Sequence, residues 1–129
     1  MDGRGVPTAV VIGGANEPDF LLLGPTLAAQ QLEPAAGVER IVCLDRGYRQ
    51  KVASELCEIF DLTPLVEARH DEAARLNQPG QTAKRWVVER TFSWLNRFRR
   101  LLIRWEKNPH NYLSFLHLAC AIITLRHLP

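Results

Sequence analysis

The sequence predicts an α/β domain, and three observations carry that expectation. Two short runs rich in β-branched residues, Val6–Ile12 and Arg40–Leu44, are separated and followed by segments of helical spacing. A polar turn, Asp2-Gly3-Arg4-Gly5, precedes the first run, and Gly13-Gly14 closes it. The 129 residues fit one domain, and 47% apolar content is enough for a packed core.

The elements follow in order. Asp19 is a fair N-cap for a helix from about Phe20 to Leu32, with Gly24-Pro25 near its start. Glu33–Val38 is a Pro/Gly linker. Arg40–Leu44 reads as a buried strand with polar residues, Asp45-Arg46-Gly47-Tyr48, at its exit. Gln50–Phe60 is a helix in which Val52, Leu56 and Ile59 recur near helical spacing. Leu62–Val66 is a short edge strand, because Pro64 cannot donate to a ladder. Residues 1–66 thus form a strand–helix–strand region, and the polar stretch 67–81 reads as a mobile connection. Residues 82–129 hold two helices. Thr82–Trp105 reads as one long helix. Asn108-Pro109 then supplies a cap and a first-turn proline for a last helix, about Pro109 to His127, apolar on most sides and expected to be buried.

Composition excludes several function classes. Cys43, Cys57 and Cys120 are far apart and have no CxxC spacing, so they read as reduced residues of a cytoplasmic protein rather than a zinc site or disulfide frame. No apolar signal region follows the polar opening. The apolar stretch Tyr112–Leu125 is short of the roughly 20 residues a bilayer needs. Gly13-Gly14 lacks the lysine of a phosphate loop, the four histidines have no metal-ligand spacing, and His117 reads as a core histidine. The net charge of +2 conceals an asymmetry: Lys84–Lys107 carries eight basic and two acidic residues. Charge this concentrated suggests a polyanion partner, with a solvated helix face as the plain alternative.

On the long helix, Val87, Val88, Phe92, Trp94, Leu95, Phe98, Leu101, Leu102 and Trp105 fill one half. Arg85, Glu89, Ser93, Asn96 and Arg100 line the other, with Arg97 and Arg104 beside them. Glu89 is either half of an ion pair with Arg85, worth about 0.3–0.5 kcal/mol, or a ligand. Asp45 stands where a strand ends, a place where sites form; otherwise it serves as a turn residue before Gly47. Two such carboxylates can share a hard divalent cation, and magnesium suits oxygen ligands and substrate phosphates.

Four stretches, Asp2–Pro7, Gly14-Ala15-Asn16, Leu44–Tyr48 and Arg85–Phe92, follow one another at a recognisable spacing. Together they resemble the DDE transposases of bacterial insertion sequences, in the group related to insertion-sequence families four and five. The resemblance implies an RNase H-like (integrase-like) fold that cuts and joins transposon-end DNA with Mg²⁺ (or Mn²⁺). It implies that Asp45 is the second aspartate and Glu89 the glutamate, both catalytic and both metal ligands. Arg85 matches the family arginine, and Arg97 and Arg100 fall near phosphates; Thr82 stands where the family has tyrosine and Asn96 where it has lysine. The family's first aspartate lies upstream of the turn that opens this chain. The resemblance is therefore to the carboxyl-terminal part of the catalytic domain, truncated and lacking its first strand. It implies a fragment inactive alone, which forms a homo-oligomer or is complemented by an amino-terminal transposase part. The alternative is a non-catalytic DNA-binding remnant or regulator of an intact transposase.

Overall fold

In a computed structural model, which describes residues 1–30, 37–45, 47–48, 50–66 and 85–128, the chain is mixed α/β. A short 3₁₀ turn, Asp19–Leu22, leads into helix α1, Leu23–Ala28. Strand β1, Ile41–Leu44, is followed by helix α2, Gln50–Ile59, and strand β2, Thr63–Val66. Helices α3, Arg85–Leu95, α4, Arg99–Leu102, and α5, Pro109–Arg126, complete the order.

β1, α2 and β2 form one βαβ unit. The strands are parallel, with Ile41 opposite Thr63 and Leu44 opposite Val66, and α2 supplies the crossover that parallel pairing requires. Pro64 sits opposite Val42 in this two-stranded sheet, so both strands are edges among the described residues and its missing N–H is tolerated. The register is pinned at its start. Thr63 N–H donates to the Arg40 carbonyl at 2.8 Å, and the Thr63 hydroxyl donates to Glu39 Oε1 at 2.8 Å. The Arg40 guanidinium donates to the Phe60 and Asp61 carbonyls, satisfying the exposed end of α2.

One core lies here. Leu23 and Leu27 of α1, Leu44 of β1 and Ala53 of α2 cluster, with Val42, Leu56, Phe60, Leu62 and Val66 packed against them. The buried face of α2 is thus Ala53, Leu56 and Cys57. Val52 and Ile59, expected on that face, are exposed, Ile59 at 74%. A second buried set lies on the helices: Val87 and Thr91 of α3, and Leu116, Ala119 and Ile123 of α5. The last three are spaced at three and four residues, so they form one stripe, and α5 packs against both α3 and α4 along its length.

Several expectations are corrected. Val6–Ile12 is no strand: it runs without turn or bend but has no neighbouring strand to pair with among the described residues. β-branched residues favour an extended backbone, but a ladder also needs a partner. The first helix is shorter than 20–32. It opens as a 3₁₀ turn in which Pro18, and not Asp19, holds the N-cap position without a side-chain cap bond; it ends at Ala28, and residues 31–36 lie outside the described residues. The β1 strand is not buried on both faces, since Ile41 and Cys43 are exposed. The expected single helix from Thr82 to Trp105 breaks between Leu95 and Arg99. The Arg97 and Phe98 N–H groups reach only three residues back, and Phe98 is extended at φ −87° and ψ 104°. Asn96 disfavours helix by competing for backbone bonds, and the break turns α4 back onto α5.

The N-cap of α5 is as expected: the Asn108 side chain accepts from His110 N–H at 2.9 Å, and Pro109 opens the helix. Burial of that helix is not. His117 is exposed, and Leu118 and Leu125 face solvent. Val88, Phe92, Leu102 and Trp105 are likewise exposed, Trp105 at 80%. The connection 67–81 and residues 82–84 lie outside the described residues. No helix among the described residues is long and apolar enough to cross a membrane.

This distribution sets a stability expectation. A core this small, with so many large side chains in water, offsets little of the chain entropy lost on folding. Thermal unfolding of the 129-residue chain is expected to be broad, with a midpoint below about 60 °C. A sharp, reversible transition well above that temperature contradicts it.

Candidate metal and nucleic-acid site

Asp45 is the first residue beyond β1, at the carboxyl end of a parallel strand, where the sheet opens toward solvent. It is exposed, and its Oδ1 accepts the Gly47 N–H at 2.8 Å. A Cβ built on Gly47 would stand 3.0 Å from that oxygen, so glycine lets the loop close on the carboxylate. The turn reading of Asp45 is therefore correct, and it is compatible with the ligand reading. The turn engages one oxygen, Oδ1. Tyr48 borders this corner: burial pushes its phenol up, and the charges of Asp19 and Asp45 push it the same way. The pairing of Tyr48 with the charges of Asp19 and Asp45 has no clear signal in the sequence; only the short spacing from Asp45 to Tyr48 hints at half of it.

Glu89 lies in the middle of α3 and is exposed, on the same side as Ser93 and Asn96. Arg85 opens the same helix; its pairing with Glu89 lies outside the described residues. The two carboxylates thus stand on separate elements, one at a strand exit and one on a helix, both open to solvent. Among the described residues no group of three or more His, Cys, Asp or Glu side chains gathers to hold a metal ion. Asp45 and Glu89 each offer a carboxylate, the donor type that a magnesium-type ion takes, once or twice from the protein, beside waters and phosphate oxygens.

Arginines and aromatic rings surround α3. Arg90 lies over the Trp86 ring at 4.3 Å and reaches the Trp94 ring at 5.8 Å. Trp94 in turn meets the His127 ring at 4.4 Å. Arg100 lies over Phe115 at 5.1 Å and Arg104 over Tyr112 at 5.0 Å. Such stacking holds a guanidinium in place, although Arg104 Nε also donates to the Glu106 carbonyl at 3.2 Å. Arg97, Arg99 and Arg100 are all exposed.

The residue that fixes α3 was missed in the sequence. Thr91 is 4% exposed; its hydroxyl lies 2.6 Å from the Gly5 carbonyl and 3.1 Å from the Val87 carbonyl. It ties the helix to the Asp2–Val6 turn, where Asp2 Oδ1 accepts the N–H groups of Arg4 and Val6. Burial pushes the Asp2 carboxyl up, but those N–H groups and the Arg4 guanidinium outweigh it and hold the carboxyl below its usual range. Arg90 adds a bond to the Arg4 carbonyl at 3.3 Å. A threonine two residues beyond a glutamate gives no pattern of its own; only its bond to a distant turn makes it structural.

Residues 42–126 match a family model described as a transposase DDE domain. The chain is 34% identical over 129 residues to a protein of Burkholderia cepacia named as a transposase for insertion sequence element IS402. The match covers 95% of this chain and 58% of that protein. It is 44% identical over 43 residues to a protein of Brucella ovis named as a transposase for insertion sequence element IS6501, covering 33% of each. The chain therefore spans little more than half the length of the first relative and a third of the second. No solved structure matches it.

Proposed function

The chain belongs to the transposase DDE domain family, and on that premise we propose that it is the carboxyl-terminal part of an RNase H-like catalytic domain that cuts and joins DNA at transposon ends. The observation that carries this reading is the extent of the family match. It runs from β1 through α5 and encloses Asp45, Glu89 and the basic helices.

In this reading Asp45 and Glu89 hold one divalent ion, Mg²⁺ or Mn²⁺. When bound, the ion polarises a phosphodiester oxygen and lowers the pKa of an attacking water. The chain's own residues do the rest. The Gly47 N–H holds the Asp45 carboxylate through Oδ1. Arg85, Arg97 and Arg100 take phosphate oxygens and set the DNA against the carboxylates. Thr91 and the Asp2–Val6 turn hold α3, and with it Glu89, at a fixed rotation. Full activity belongs to an assembly that contains the amino-terminal part, either as a complementing polypeptide or within an oligomer.

DNA binding provides the test. Affinity of the 129-residue chain for duplex DNA is expected to fall steeply with salt. In the Arg97→Ala/Arg100→Ala double variant the log–log slope should shrink by about 2, at about 0.9 for each phosphate no longer neutralised. Binding that ignores ionic strength, or a slope unchanged in the double variant, contradicts the phosphate roles of these arginines.

A further inference from the structure

The loop that joins α4 to α5, residues 103–108, carries Trp105, at 80% the most exposed large apolar side chain among the described residues. A single exposed apolar residue needs no explanation, but this one is presented by a built loop. The Trp105 N–H donates to the Ile103 carbonyl at 3.0 Å, closing a tight turn. The Glu106 carbonyl accepts from Arg104 Nε at 3.2 Å, and Glu106 Oε1 accepts the Asn108 N–H at 3.1 Å. Asn108 in turn caps α5 by accepting the His110 N–H. The loop is thus tied, bond by bond, to the start of a long helix, while the indole stands in solvent.

Its surroundings are basic. Arg99, Arg100, Arg104 and Lys107 are exposed, against one acid, Glu106, whose carboxylate is engaged in the loop. Arg100 lies over the Phe115 ring and Arg104 over the Tyr112 ring, so α5 seats the two guanidiniums about one turn apart.

A flat ring amid fixed cations could meet a protein or a nucleic acid. The buried centre of a protein interface is depleted of charged residues, and four cations between Arg99 and Lys107 do not fit one. A nucleic-acid strand fits both features: its phosphates meet the cations, and a base lays its face on the indole. Bases inside a duplex already cover one another's faces. The indole therefore selects a base whose face is open, as on an unpaired strand.

We propose that Trp105 is the stacking platform for an unpaired base of the transposon-end DNA, with Arg100 and Arg104 on the phosphates beside it. The inference rests on the transposase reading and adds to its substrate a stretch of single strand.

The test compares an oligothymidylate of about 12 nucleotides with an abasic strand of the same length, which keeps the phosphates and lacks the bases. The 129-residue chain should bind the oligothymidylate more tightly by about 5-fold or more. In Trp105→Ala that difference should close. The salt slope, the duplex affinity and the unfolding midpoint should stay as they were, since this change removes no cation and little buried surface. Equal affinity of the wild-type chain for the two strands overturns the proposal. So does a difference that survives in Trp105→Ala, or a parallel loss of duplex affinity in that variant. The preference should also persist once the amino-terminal transposase part is added. Its loss there overturns the proposal, because the loop then seats protein. Salt-dependent duplex binding with no base preference on single strands counts against the role of Trp105 alone. Absence of salt-dependent binding to any DNA counts against the transposase reading, and this inference falls with it.

Discussion

Replacing Asp45 by alanine is expected to abolish metal-dependent cleavage by the enzyme reconstituted with its amino-terminal part, while salt-sensitive DNA binding persists. A metal ion that polarises a phosphoryl oxygen supplies several kcal/mol of charge stabilisation. Losing about 4 kcal/mol of it is about a 10³-fold fall in rate. DNA affinity should change little, because in this reading the phosphates are held by arginines of the helices and not by Asp45. Gly47→Val should reproduce part of the loss without removing any carboxylate, since its Cβ would stand 3.0 Å from Asp45 Oδ1 and force that oxygen aside. An Asp45→Ala enzyme that cleaves at the wild-type rate removes Asp45 from the mechanism. One that loses DNA binding and cleavage in parallel makes it a structural turn residue only.

Thr91→Val should be the most damaging conservative change for folding. Valine keeps the shape and deletes the hydroxyl, leaving the buried Gly5 carbonyl without its 2.6 Å partner. An orphaned buried acceptor costs about 1–3 kcal/mol. For a chain of this size that is a fall in Tm of roughly 3–10 °C. Gly5→Val attacks the same joint from the other side. Gly5 has φ +89°, a conformation β-branched residues avoid, and its Cβ would approach Thr91 Oγ1 at 3.1 Å. Thr91→Ser retains the donor and should recover most of the loss. If Thr91→Val unfolds at the wild-type temperature, the turn does not brace α3, and Glu89 owes its position to the packing of α3 on α5 alone.

What the sequence disclosed follows the range of the interactions involved. The Asp2–Val6 turn, the βαβ unit and the Asn108-Pro109 helix start were all legible, because each is specified within a few residues by a side-chain bond, an apolar run or a fixed φ. Asp45 at a strand exit was legible for the same reason. Val6–Ile12 was misread because its residue types describe an extended chain and are silent on whether a neighbour exists. The long helix was misread because helical spacing continues through Asn96–Phe98 while the backbone does not. The apolar half of that helix was legible as a face, yet Phe92 and Trp105 are exposed, since periodicity identifies a face and not what covers it. Thr91 escaped notice because its partner, Gly5, is 86 residues away.

The central claim is that Asp45 and Glu89 act on one ion. Mn²⁺ titration of the isotopically labelled chain, followed by paramagnetic broadening of amide signals, addresses it directly. The account predicts that the Gly47 amide and the amides around Glu89 broaden together at one midpoint, and that either Asp45→Asn or Glu89→Gln removes both effects. Broadening at one carboxylate that survives loss of the other would show two unrelated surface acids and end the nuclease interpretation.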